Sequence, residues 1–133
     1  MTAEMPADIR KLIEDHITGF NTQDDRLLAS VFSDTGIVID GIAPYRWLNP
    51  GAPAKWLADV AIWRQNLGVV DEKFAYEIGF WNVEGSHAYV VLDGTLTVTL
   101  KDQSIVRTGT LAYAFTKYGD GWKIDAQAWG RTS

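Results

Sequence analysis

Apolar side chains recur at Ile9, Leu12, Ile13, Ile17 and Phe20, every third or fourth position, which predicts an amphipathic helix from Pro6 to Phe20. Pro6 at the first turn and Asp8 beside it suit a helix start. Thr22 with Asp25 three residues on predicts the cap of a short second helix that turns Leu27, Leu28, Val31 and Phe32 inward. Asp34, Thr35 and Gly36 then turn the chain, and Ile37 to Asp40 reads as a short strand ending at Gly41. Gly41 to Pro53, with Pro44, Pro50, Gly51 and the aromatics Tyr45 and Trp47, is a long loop. Pro53, Trp56, Val60, Trp63 and Leu67, closed by Gly68, give a third helix.

Beyond Gly68 the period changes to two. Strands are predicted over 73–83, 87–100, 104–118 and 122–131, separated by Glu84-Gly85-Ser86, Lys101-Asp102-Gln103 and Gly119-Asp120-Gly121. Such short turns imply antiparallel hairpins, and strands of this length must twist and coil. Helices first and a meander afterwards make an α+β fold: N-terminal helices packed on a strongly curved antiparallel sheet, as one domain over residues 1–133.

Composition narrows the function. The 133 residues are 47% hydrophobic and 22% charged, ordinary for a soluble domain, with no apolar run of membrane-spanning length. The start MTAEMPADIRK has acids where a secretory signal has a basic flank, so a cytoplasmic protein is expected. With no cysteine, thiolate chemistry and cysteine-ligated metals are excluded, and His16 and His87 lie too far apart in sequence to suggest a metal site; no cofactor is expected. A net charge of −5 with scattered Lys and Arg argues against nucleic acid. The six Trp exceed the usual needs of a small core, which points to an apolar cavity or an interface.

Three segments carry a resemblance: Asn21-Thr22-Gln23-Asp24 followed by Leu27, Leu28 and Phe32-Ser33-Asp34; Ile37-Val38-Ile39-Asp40; and Asp120-Gly121-Trp122-Lys123-Ile124. With the element order, they make the chain similar to the nuclear-transport-factor-2-like superfamily, which includes SnoaL-like cyclases and ketosteroid isomerases. The resemblance covers nearly the whole chain and implies a cone-shaped α+β barrel around a pocket, a scaffold that hosts isomerases, cyclases, dehydratases and non-catalytic binding modules. Laid against ketosteroid isomerase, Asp40 falls at the proton-shuttling aspartate, His16 at an oxyanion-stabilising tyrosine, and Tyr113 near a second, protonated aspartate. The resemblance also implies a homodimer through the sheet face.

The residues themselves leave two readings at each position. His16 shares the apolar stripe of Ile9 and Leu12 and is either a structural histidine with one partner or a pocket-lining donor. Asp40 is either a solvated turn residue or a carboxylate whose burial lifts its pKa toward a general-base range. Tyr113, between Leu111 and Phe115, is either core or a second donor. Trp56 and Trp63 are core or pocket wall, Trp47 a lid, and Phe20 and Phe32 part of the lining. Ala126 and Ala128, alternating with Ile124, are expected to face inward and leave room for a ligand, with Trp129 pointing outward. Asp93 shares its strand face with Thr95, Thr97 and Thr99. Pattern alone puts Val90, Leu92 and Val98 inside, whereas the resemblance puts the threonine face, and so Asp93, toward the cavity and the aliphatic face in a dimer. The functions that follow are an isomerase, cyclase or dehydratase acting on an apolar carbonyl compound, or a binding or dimerisation module with no chemistry.

Overall fold

The computed structural model describes residues 4–119 and 121–133. Asp120, in the predicted Gly119-Asp120-Gly121 turn, and residues 1–3 lie outside them. In chain order the elements are α1 (Ala7–Thr22), α2 (Asp25–Ser30), β1 (Phe32–Ile39), β2 (Arg46–Trp47), α3 (Ala52–Leu67), β3 (Val69–Glu84), β4 (His87–Leu100), β5 (Ser104–Tyr118) and β6 (Gly121–Arg131).

The apolar stripe of α1 buries Ile9, Ile13, His16 and Ile17, and the helix ends on Gln23 in the left-handed region at φ 55°. Thr22 does not cap α2. It finishes α1 with its hydroxyl on the Thr18 carbonyl at 2.7 Å, and Asp24 caps α2 by accepting from the Leu27 amide at 3.1 Å. Gly68, at φ 74°, closes α3 and lets β3 begin at once, four residues earlier than predicted. Asn21, just before the end of α1, grips β3 at two points, donating to the Phe74 carbonyl at 3.0 Å and accepting from its amide at 2.7 Å. Glu72, buried on β3, is ion-paired with Arg64 of α3. These contacts fix both long helices over one face of the sheet.

The described residues form a six-stranded sheet in the order β2-β1-β6-β5-β4-β3. The three predicted hairpins are present as antiparallel pairs. The pairing absent from the sequence reading is β1 on β6, which is parallel. Its partners lie at opposite ends of the chain, so no turn residue announces it.

Two bulges set which side chains face the helices. Ile78 pairs with Leu92 and Phe80 with Val91, so Gly79 is an extra residue in β3, and the inward positions change from Phe74, Tyr76 and Ile78 to Trp81 and Val83. In β6, Ile124 pairs with Phe115 and Ala126 with Ala114, which makes Asp125 the extra residue. Burial opposes ionisation of Asp125, but hydroxyls from Ser33 (2.5 Å), Thr116 and Tyr118 (2.6 Å) outweigh it and hold the carboxyl below its ordinary range. Three strands thereby clamp the bulge.

The shift of one residue reverses the expected faces beyond it. Ala126 and Ala128 point to the outer side, while Gln127 and Trp129 point inward opposite Tyr113 and Leu111. On β4 the aliphatic residues Ala88, Val90, Leu92 and Val98 are buried inside the fold and Asp93 is exposed on the outer face. Of the two faces the sequence leaves open, the structure buries the one that alternation favours and not the one implied by the resemblance, so Asp93 is outside the cavity; the aliphatic face fills the interior and is not available for a dimer. The interior is unevenly filled. Val90, Leu92, Tyr113, Phe115 and Ile124 pack one end solid with α1 and α2, and the other end, under α3, is hollow.

Candidate active site

The hollow end is a cavity of about 340 Å³, within the range of small-molecule sites. Its deep end is formed by buried His16, Leu111 and Gln127, its walls by Phe20, Phe74, Trp56, Trp63 and Trp129, and its outer end by exposed Gly41, Leu67 and Arg131. Asp40 enters from the end of β1. Of the residues singled out in the sequence, Asp40, His16, Phe20, Trp56 and Trp63 line this cavity.

The others are elsewhere. Tyr113 is buried behind His16 and does not reach the open space. Phe32 packs edge-on against His16, with ring centroids 5.6 Å apart, as core. Trp47 is no lid: β2 pairs it with Val38, and its indole N–H donates to Asp59 of α3 at 2.7 Å in the interior. Asp93, Ala126 and Ala128 are on the outer face for the register reasons given above. Gln127, Trp129, Glu72, Arg107 and Arg131 line the cavity without having been singled out. The Asp125 bulge hides the first two and Arg131 from any alternation pattern.

Asp40 holds two hydrogen bonds. Its Oδ2 accepts from the Trp56 indole at 2.8 Å and its Oδ1 from the Gly41 amide at 2.6 Å. Burial nevertheless dominates and raises its pKa above 3.8, with the two bonds opposing. A carboxylate in this state is a stronger base than an exposed aspartate. Each oxygen keeps a second lone pair for a substrate proton.

The His16 Nδ1 lies 2.6 Å from the Tyr113 hydroxyl. Burial, opposed by the nearby Gln127 carboxamide, lowers the imidazole pKa from 6.5 to about 4, so the ring is neutral at pH 7. Burial, reinforced by Tyr76, pushes the Tyr113 hydroxyl well above 10, so it keeps its proton. Among the described residues that hydroxyl bonds only to Nδ1; donation there satisfies it and places the ring proton on Nε2. Nε2 is buried and has no hydrogen-bond partner among the described residues, and neither does the Gln127 Oε1. The pair thus holds a neutral imidazole at the deep end of the cavity, in the tautomer that Tyr113 favours and with Nε2 buried beside Gln127.

The same burial makes stability acid-sensitive. Between pH 6.5 and about 4 the unfolded imidazole binds a proton that the folded one refuses, so acid favours unfolding. Stability present above pH 6.5 is expected to fall by on the order of 3 kcal/mol through this window. Urea unfolding at pH 7 and pH 4.5 checks it: His16→Gln should flatten the difference, and an equal slope in the variant would exclude His16 as its source.

No family model and no curated protein matches the sequence. Solved structures do match. The ketosteroid isomerase-like protein from Erwinia carotovora atroseptica SCRI1043 superposes with a TM-score of 0.80 at 19% identity, over 99% of both chains. The cone-like α+β fold is shared. The fold is that of the nuclear-transport-factor-2-like proteins. Hexachlorocyclohexane dehydrochlorinase LinA-type3 from Novosphingobium barchaimii LL02 matches this fold at TM-score 0.76 and 18% identity, over 96% of this chain and 86% of that one. Kfla4162 from Kribbella flavida matches at 0.79 and 12%, over 96% and 90%. No helix of the described residues is long and apolar enough to cross a membrane.

Proposed function

We propose that the protein is a cytoplasmic, cofactor-independent enzyme that moves a proton on a small, largely apolar carbonyl compound, as an isomerase, cyclase or dehydratase does. The observation that carries this reading is that Asp40 and the buried, neutral imidazole of His16 are both among the residues that line one cavity. Asp40 removes a proton α to the carbonyl. The C–H bond breaks, its electron pair forms the C=C bond of an enolate while the carbonyl π pair moves onto oxygen, and the His16 imidazole N–H donates a hydrogen bond to that oxygen as charge develops. The proton rests on Asp40 until it returns to carbon or to a leaving group. Tyr113 is a positioning residue that acts through His16. Matches to proteins described as ketosteroid isomerase-like and as a dehydrochlorinase support the reaction class.

The test is the pH–rate profile of a benzisoxazole probe, whose ring opening needs only a base in an apolar pocket. Because the base form is required and burial raises the Asp40 pKa, the rate should fall as pH drops through a midpoint above 3.8. A second reading is a binding module without chemistry. What favours it is that both Asp40 oxygens already accept a protein hydrogen bond, as in a structural carboxylate. A flat profile with tight ligand binding would select it.

Any homodimer falls to the outer sheet face, where Phe80 and Tyr89 are exposed and packed ring to ring at 6.0 Å. Light scattering is expected to return a dimer mass. A monomer at micromolar concentration rejects this interface.

A further inference from the structure

The cavity has an apolar body and a cationic end. Arg107 and Arg131 both line it, on adjacent strands. Gly109 pairs with Arg131, and Arg107 is two residues from Gly109 on the same face of β5, so the two arginines are diagonal neighbours. Diagonal neighbours start roughly 7–8 Å apart, a gap that two long side chains close easily. The ion pairs of the described residues are Lys11–Asp15, Arg64–Glu72 and Lys73–Asp71, and neither arginine is in one. Arg131 donates its Nε to the Ser133 carbonyl at 2.9 Å, and no hydrogen bond of its terminal nitrogens is formed among the described residues. Glu72, the other carboxylate in the lining besides Asp40, is taken by Arg64. Half-buried Arg107 and exposed Arg131 thus bring two guanidinium groups without carboxylate partners to a cavity that Leu96, Ile105 and Trp129 also line.

We infer that the ligand carries an anionic group, a carboxylate on an apolar body, held by Arg107 and Arg131 at the outer end of the cavity while its reacting portion reaches Asp40 and His16. The inference rests on the cavity being the substrate site of the proposed function and adds the substrate class. The planar fork of arginine matches a carboxylate through paired, charge-assisted hydrogen bonds. Two such residues fix the orientation of a ligand whose remaining contacts are apolar and non-directional.

The test compares 1-naphthoate with its neutral isostere 1-naphthamide by isothermal titration calorimetry on the intact protein, with 1-naphthyl phosphate as a further anion. The naphthoate is expected to bind on the order of tenfold tighter than the amide, and the preference should shrink as ionic strength rises. Arg107→Gln with Arg131→Gln should erase the preference while the amide still binds. Equal binding of acid and amide by the wild type overturns the inference whether or not the double variant folds, and so does a preference that survives both substitutions. A stronger preference for the phosphate ester replaces carboxylate by phosphate and overturns the class named here. Benzisoxazole turnover separates this inference from the reading beneath it: turnover without acid preference rejects only the anion site, and acid preference without turnover rejects only the catalysis.

Discussion

Asp40→Asn is expected to lower benzisoxazole turnover by about two to four orders of magnitude, the usual contribution of a positioned general base. The substitution is well suited to the question because it is nearly isosteric. The asparagine oxygen can accept from only one of Trp56 and Gly41 while its NH2 faces the other donor, so a loss of about 1–3 kcal/mol in stability should accompany the loss of activity without unfolding the protein. The acid limb of the pH profile should vanish with the activity, since the group that titrates is gone. A residual rate within a few-fold of wild type would assign the proton transfer to another group and leave Asp40 as a structural carboxylate.

Gly109→Ala should produce the largest loss of stability among single methyl additions. Gly94 and Gly109 face one another across β4 and β5, and together they form a flat patch on the inner side of the sheet. Phe74 lies over Gly94 and Trp129 over Gly109, and the two rings meet edge to face at 5.5 Å. A Cβ on Gly94 would sit 2.2 Å from Phe74 Cζ, whose ring can give way by rotating its side chain. At Gly109 the nearest atom, at 2.3 Å, is the Gly130 carbonyl oxygen, and backbone cannot rotate aside. The cost should reach the upper end of the roughly 1–3 kcal/mol typical of overpacking, a fall in Tm of roughly 10 °C. Gly121→Ala is the control, since a Cβ there meets open space, and it should stay within about 0.5 kcal/mol of wild type. Differential scanning calorimetry of the three proteins decides the matter. Equal Tm values would mean that β6 can shift away from Gly109 at little cost and that the close approach of the Gly130 carbonyl is not a constraint.

These glycines show where sequence pattern loses its hold. Periodicity located α1, α3 and the three hairpins because each buries a face whose spacing follows from 3.6 or 2 residues per repeat. On β4, which has no bulge, alternation offers the inner face that the structure has, but the sequence leaves it open against the reverse face implied by the resemblance. Alternation failed on β6 because one polar residue, Asp125, is accommodated as an extra position by hydroxyls from Ser33, Thr116 and Tyr118, none of them adjacent to it in sequence. From there to Arg131 every inward position is displaced by one, so Ala126 and Ala128 were expected in the cavity in place of Gln127 and Trp129. The parallel β1–β6 pair was invisible for a related reason: it is a contact between distant segments with no connecting turn.

The site was partly legible. His16 stood out as a polar residue on an apolar helical stripe, and Asp40 as an acid ending an apolar strand; both are in the cavity wall. Tyr113 was singled out by its inward position, but depth along the cone cannot be read from alternation, and it lies one layer behind, against Nδ1 of His16. Arg107 and Arg131 attracted no notice because in sequence they are ordinary charges among others. Only the register of β5 and β6 brings them to one end of the cavity.

The most direct measurement is a ¹³C NMR titration of the Asp40 side-chain carboxyl, assigned by its loss in Asp40→Asn, with and without 1-naphthamide. The account predicts a midpoint above the ordinary 3.8 that moves when the cavity is occupied. A midpoint at or below 3.8 that ignores the ligand would contradict it, placing Asp40 outside the chemistry of the cavity.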